Sequence, residues 1–261
     1  MAKLEISHIS KSFQKKKAPE HVVLQDVNFT VEDGQFVSLL GPSGCGKTTL
    51  LSMIGGFQEP TAGEILVDGK AIHGPSSERG YVFQNYALFP WMTVEKNIAY
   101  GMKFLDFTKE EKQERLEKLI KMSHLQGHEK KFPIQLSGGM QQRVAVARAM
   151  AGRPKVLLLD EPLGAVDFQT RELMQNQLDE MIREAKITAV MVTHDVAESV
   201  FMSDRVIVLG SNKGHIVADM KIDLPRPRDR QSDAFEEYTR ELTVLVRQAF
   251  NEADHSLEEE E

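Results

Sequence analysis

The chain has 261 residues, 41% hydrophobic and 27% charged, a balance that excludes a disordered or fibrous chain and suits one core with at most a small attached subdomain. Its formal net charge of −7 argues against a dedicated nucleic-acid binder, because phosphate backbones need a basic face. No apolar run approaches the roughly 18–20 residues of a membrane helix, and the single cysteine, Cys45, fits a reducing compartment.

The start, Met1-Ala2-Lys3-Leu4-Glu5, lacks the apolar core of a secretory leader. Leu4-Glu5-Ile6 and Val27-Asn28-Phe29-Thr30-Val31 then alternate with the period of half-buried strands. Lys15-Lys16-Lys17 between them reads as a solvated turn of an N-terminal hairpin. Asp33-Gly34 turns the chain into Phe36-Val37-Ser38-Leu39-Leu40, suited to a strand buried on both faces. A glycine-rich loop follows, then a helix from Thr48 to Ile54 stopped by Gly55-Gly56.

Between Tyr86 and Pro133 the character changes. The charged block from Lys109 to Lys118, leading into Leu119-Ile120, predicts a solvated helix within a small helical insert over about 86–153. Val156 to Leu159, Ala189 to Val192 and Arg205 to Leu209 predict further buried strands, separated by helices over 171–184 and 196–202. Strand and helix alternating in this way predict an α/β fold with a mostly parallel sheet. The sheet is expected to end after Gly214, with Leu224-Pro225-Arg226-Pro227-Arg228 as an extended linker. Residues 1–230 then form one domain. In 231–261, an amphipathic helix over 234–250 aligns Phe235, Tyr238, Leu242, Val246 and Ala249, and Glu258 to Glu261 form a solvating acidic tail.

Gly41-Pro42-Ser43-Gly44-Cys45-Gly46-Lys47-Thr48 fits G-x-x-x-x-G-K-[ST] in full, after a buried strand and opening a helix. Its glycines let backbone N–H groups converge on an anion at a helix N-terminus. Lys47 brings charge to the β- and γ-phosphates, Thr48 a hydroxyl for Mg²⁺, and Thr49 a further phosphate contact. Cys45 reads either as a low-pKa thiol at a helix start or as a small loop residue. Asn212-Lys213 begins a guanine-reading N-K-x-D pattern, but His215 stands where aspartate is required. Phe13 offers a face for adenine, its alternative being a core phenylalanine, so ATP is favoured.

The strand ending in Asp160-Glu161-Pro162 is expected to deliver two carboxylates beside that loop. Asp160 suits a hold on hydrated Mg²⁺, and Glu161 suits a general base for the attacking water. His194 closes another buried strand, from which it can reach the γ-phosphate or that water. Gln84, after Tyr81-Val82-Phe83, can touch Mg²⁺ and report nucleotide state to the insert.

Leu136-Ser137-Gly138-Gly139-Met140-Gln141-Gln142-Arg143 is a second capped, anion-seeking helix start in a chain that already has one. With this signature the chain resembles ABC transporter ATPase subunits over nearly its full length. The resemblance implies a P-loop fold with an N-terminal antiparallel β-subdomain and an inserted helical subdomain. It implies head-to-tail pairing with a second cassette, a homodimer being permitted, and ATP held between one phosphate loop and the other copy's Ser137, Gly138 and Gly139. It makes Gln84 the Q-loop residue, Glu161 the catalytic glutamate, Asp167 the D-loop aspartate and His194 the switch histidine. Met140 replaces the usual glutamine, and Val166 the usual leucine before Asp167.

Leu88 to Val94 and Leu224 to Arg230 resemble the nitrate, sulfonate and taurine importer ATPases. That implies permease subunits, an indirect solute-binding protein and a peripheral place on the cytoplasmic membrane face. Phe89, Trp91 and Met92 read either as a permease-docking groove or as core. A non-transport ABC ATPase of repair or translation is the alternative function; it usually has tandem cassettes or long inserts.

Overall fold

Residues 3–14, 20–164 and 168–258 are described in this computed structural model; the lysine turn at 15–17, Asp167 and the tail residues 259–261 lie outside them. Two units emerge, Met1–Pro75 with Thr188–Glu261, and Ser76–Ile187. The opening alternation of the first unit becomes two long antiparallel strands, β1 (Leu4–Phe13) and β2 (His21–Val31), paired from Leu4↔Val31 to Phe13↔His21. Leu4, Ile6, Ile9, Val27, Phe29 and Val31 fill their inner face. All five residues of β3 (Phe36–Leu40) are buried, as its unbroken apolar run predicts. Helix α1 (Lys47–Gly55) follows and ends on Gly56, left-handed at φ 79°. Strands β4 (Ala62–Val67) and β5 (Lys70–Ala71) complete an antiparallel sheet ordered β2-β1-β4-β5.

In the second unit β6 (Arg79–Val82) pairs in parallel with β7 (Val156–Asp160), every residue of which is buried. The helices are α2 (Val94–Tyr100), α3 (Lys109–Met122), α4 (Gly138–Ala151) and α5 (Phe168–Ala185). A reciprocal capping box opens α3: Thr108 Oγ1 accepts from the Glu111 amide at 3.1 Å, and the Glu111 carboxylate accepts from the Thr108 amide at 2.7 Å. Leu119, Ile120 and Met122 of α3 are buried and most of its charges form the solvated face that the sequence predicts; Arg115 is the exception, part-buried and donating to the Met150 carbonyl at 2.8 Å.

Back in the first unit, β8 (Thr188–Val192), α6 (Val196–Met202) and β9 (Arg205–Leu209) continue the alternation. Both strands run parallel to β3, one on each side. Two expectations change here. The sheet does not end after Gly214: β10 (Ile216–Lys221) pairs antiparallel with β9. Its residues are only partly buried and include Asp219 and Lys221, which hid an edge strand from an apolar scan.

The stretch from Leu224 to Arg228 is also no free linker. Arg228 is buried and donates to the carbonyls of Val200, Phe201 and Ser203 at 2.6, 3.1 and 2.5 Å. It thereby satisfies carbonyls that a helix C-terminus leaves without partners. Arg226 donates to Met202 O and Asp204 Oδ1. Helix α7 (Asp233–Glu258) follows, burying Phe235, Leu242 and Ala249 at helical spacing and accepting the Ser211 amide at the Ala249 carbonyl.

Candidate nucleotide site

The parallel pairing of β3 with β8 and β9 sends three strand ends to one edge of the sheet. Leu39 is level with Val192 and Leu40 with Val208. Gly41, His194 and Gly210 therefore leave the sheet close to one another, the edge where α/β folds bind ligands. At Gly41 a Cβ would fall 2.4 Å from the Leu209 carbonyl oxygen, so only glycine lets the loop pass. Gly46, at φ 98°, is the N-cap of α1 and contributes no side-chain cap. The N-cap of α1 therefore supplies no side-chain acceptor, and its first turn holds no acidic residue.

Lys47 is buried, its ammonium donating to the carbonyls of Gly41 at 2.8 Å and Pro42 at 2.7 Å across the loop. Loop and cation are therefore one folded object. Cys45 is buried, and desolvation pushes its thiol above the ordinary range despite nearby Lys47. That overturns the reactive-thiol reading and leaves the small loop residue. His194 is exposed past the end of β8, where the Thr193 amide anchors the turn by donating to Leu39 O at 3.2 Å. Asp195 then caps α6 through the Glu198 amide at 3.0 Å. Phe13 ends β1 half exposed, with the Lys11 ammonium 5.0 Å from its ring, so it is not a core residue.

In the second unit β7 delivers Asp160, buried, and Glu161, half-buried, at its C-terminal end. Glu161 adopts φ 43°, a left-handed conformation uncommon for a non-glycine residue, and its carbonyl accepts from the Gly164 amide at 3.0 Å. Gln84 donates to Glu161 Oε2 at 2.9 Å, joining two of the sequence-derived residues. The Tyr81 hydroxyl donates to Asp160 Oδ2 at 3.2 Å, a contact that motif reading missed. The only signal was a hydroxyl between the apolar Val82 and Gly80 of a short strand.

Ser137 caps α4 by accepting the Met140 amide at 3.4 Å, and both Ser137 and Gly138 are exposed. At Gly139 a Cβ would lie 2.0 Å from Met174 Sδ of α5, so a larger residue there requires the flexible thioether to move aside. Asp167 falls outside the described residues. Phe89, Trp91, Tyr100 and Phe104 form a ring-to-ring run, with Trp91 70% and Phe104 80% exposed. Buried Asn97 shapes its start, its amide lying 3.0–3.2 Å from the Phe89, Met92 and Thr93 carbonyls.

The family model for the ABC transporter matches residues 24–164. The chain belongs to the ABC transporter family. This ABC transporter cassette is 45% identical over 245 residues to an uncharacterised ABC transporter ATP-binding protein of Methanocaldococcus jannaschii, covering 94% of this chain and 91% of that one. It is 46% identical over 214 residues to an aliphatic sulfonates import ATP-binding protein of Bacillus licheniformis, covering 82% and 83%. Among solved structures it resembles a dimeric, post-hydrolysis ATP-binding cassette bound to ADP and Pi. There the TM-score is 0.72 at 31% identity, covering 84% of this chain and 98% of that one.

Proposed function

We propose that this ABC cassette hydrolyses ATP to drive import of a small anion of the nitrate, sulfonate or taurine type. The observation that carries hydrolysis is Glu161, placed at a strand end with its carboxylate bonded to Gln84. The sulfonate-import relative supports transport over a repair or translation role. Residues Gly41, Pro42, Ser43, Gly44, Cys45 and Gly46 cradle the phosphates through their backbone, with Lys47, Thr48 and Thr49 adding side chains. Phe13 stacks on adenine. Glu161 polarises the attacking water and His194 contacts the γ-phosphate.

Thr48, Asp160 and Gln84 offer a hydroxyl, a carboxylate and an amide carbonyl, the hard oxygens that Mg²⁺ takes. Among the described residues no group of three or more His, Cys, Asp or Glu could hold a metal. That donor set fits an ion carried largely by phosphate and water, and such an ion neutralises phosphate charge when bound.

Ser137, Gly138, Gly139 and Asp167 serve the nucleotide of a second copy, so that two ATP molecules are shared by two cassettes. ATP must then bind the closed pair better than the open one, or it drives nothing. Permease subunits dock on the Phe89–Trp91–Met92 surface, and a solute-binding protein acts through them. The cassette sits peripherally on the cytoplasmic face; no helix among the described residues is long and apolar enough to cross a membrane. The insert over about 86–153 is the helical subdomain of a domain spanning 1–230, with 231–261 appended.

The test is Glu161→Gln. It keeps ATP binding, loses about a hundred- to ten-thousandfold in turnover and accumulates a closed dimer by size-exclusion chromatography. Near-native phosphate release would sink the base assignment.

A further inference from the structure

The segment after Gln84 carries two consecutive non-glycine residues in the left-handed region, Tyr86 at φ 60° and Ala87 at φ 43°. Side chains are crowded there, so such residues persist only where the surroundings hold them. Local bonds supply part of that hold: the Tyr86 amide donates to Phe83 O at 2.8 Å and the Ala87 amide to Asn85 O at 2.7 Å. The rest comes from far along the chain. Arg148, in the last turn of α4, donates Nη2 to the Tyr86 carbonyl at 2.8 Å and Nη1 to the Ala87 carbonyl at 2.7 Å.

One planar fork therefore grips two successive carbonyls, which a lysine ammonium does not reproduce. The same guanidinium lies 5.5 Å from the centre of the Phe89 ring, and Phe89 lies 5.6 Å from Trp91. Burial lowers the Arg148 pKa, with Tyr100 opposing, yet a guanidinium remains charged. At its other end α4 begins at Ser137, roughly 16 Å away at 1.5 Å per residue.

We infer that Arg148 is a positioning residue for Gln84, tying the Gln84 segment and the Phe89–Trp91 surface to the helix that begins at Ser137. The inference rests on the proposed role of Gln84 beside Glu161. A cation that merely filled space would be replaceable by methionine, whereas one that aims Gln84 through two strained carbonyls would not. The fork also makes α4 a common support for two elements that both respond to nucleotide.

The chain supplies its own reporter. Trp91 is the single tryptophan and is 70% exposed. In the full-length protein, ATP with Mg²⁺ is expected to shift Trp91 emission, and Arg148→Met to abolish that shift. Arg148→Met should lower kcat about ten- to a hundredfold and leave KM for ATP within about twofold. Arg148→Lys restores only a small part of the loss.

In a Gln84→Ala background Arg148→Met should cost nothing further, because residues acting as a unit are not additive. Losses that multiply, or a kcat and Trp91 response that survive Arg148→Met, overturn the inference. Native turnover in Gln84→Ala would retire the role of Gln84 and this inference with it, while Glu161→Gln still judges the base independently. If Arg148→Met does not fold, Arg148→Lys in the same two backgrounds decides the question by the same comparison.

Discussion

Two helices in this cassette have glycine at their first turn, and they start differently. Helix α1 rises from a left-handed Gly46 and has its own cation, Lys47, buried among the loop carbonyls. Helix α4 rises from an exposed Ser137 that caps its own first turn, with no lysine or arginine between Leu136 and Gln142. The first start carries everything that a polyphosphate needs. The second offers only amides and a hydroxyl, which suits a secondary contact to a nucleotide whose charge is met elsewhere. Under the proposed shared-nucleotide arrangement, one start of each kind is what pairing with a second cassette requires.

The comparison breaks most severely at Lys47. Lys47→Ala should cut phosphate release about a hundred- to a thousandfold, removing the only charged donor of the loop. Ser137→Ala should lose turnover while costing only about 1 kcal/mol or less of stability in a denaturant melt, since its cap is long. Mixing these two defective chains then sharpens the comparison. A mixed pair retains one intact loop facing one intact signature, so turnover should return; if it does not, the shared-nucleotide arrangement fails.

Gly139→Ala is next in size, with a loss of about 1 kcal/mol in a denaturant melt, because the flexible Met174 thioether can give way. Native turnover in Gly139→Ala would mean that Gly139 serves packing alone.

The smallest effect belongs to Cys45. Its raised pKa keeps thiolate scarce, so alkylation at neutral pH should be slow and keep accelerating well above about pH 8.5, where a free thiol is already half ionised and its rate begins to level. Cys45→Ser should leave turnover within about threefold of native. Fast labelling at pH 7 would contradict the buried position.

What the sequence made legible follows from where the physics is local. Strands β3, β7, β8 and β9 announce themselves because residues buried on both faces are nearly all apolar. The phosphate loop is equally plain, since its glycines and Lys47 act on their own backbone. Arg148 and Asn97 were not legible. Arg148 reaches its carbonyls over 61 and 62 residues, and Asn97 bonds carbonyls of the irregular turn four to eight residues before it; no periodicity encodes either.

A faint signal did exist. Asn97 shares a buried helical face with Val94 and Ile98, and Arg148 interrupts a run of small apolar residues in α4. A polar group at a core position asks for a partner. β10 escaped for the opposite reason, being an edge strand with too little buried surface to stand out.

The arginines at 226 and 228 have a consequence for anyone recombining cassettes. Because Arg228 closes the end of α6 and Arg226 holds Met202 and Asp204, the seam for exchanging the terminal helix lies beyond Arg230, not at the prolines. A graft cut at Leu224 would leave the recipient's α6 with its final carbonyls facing arginines from another chain. The same cut made past Arg230 carries the clasp with its host, and α7 becomes a replaceable part.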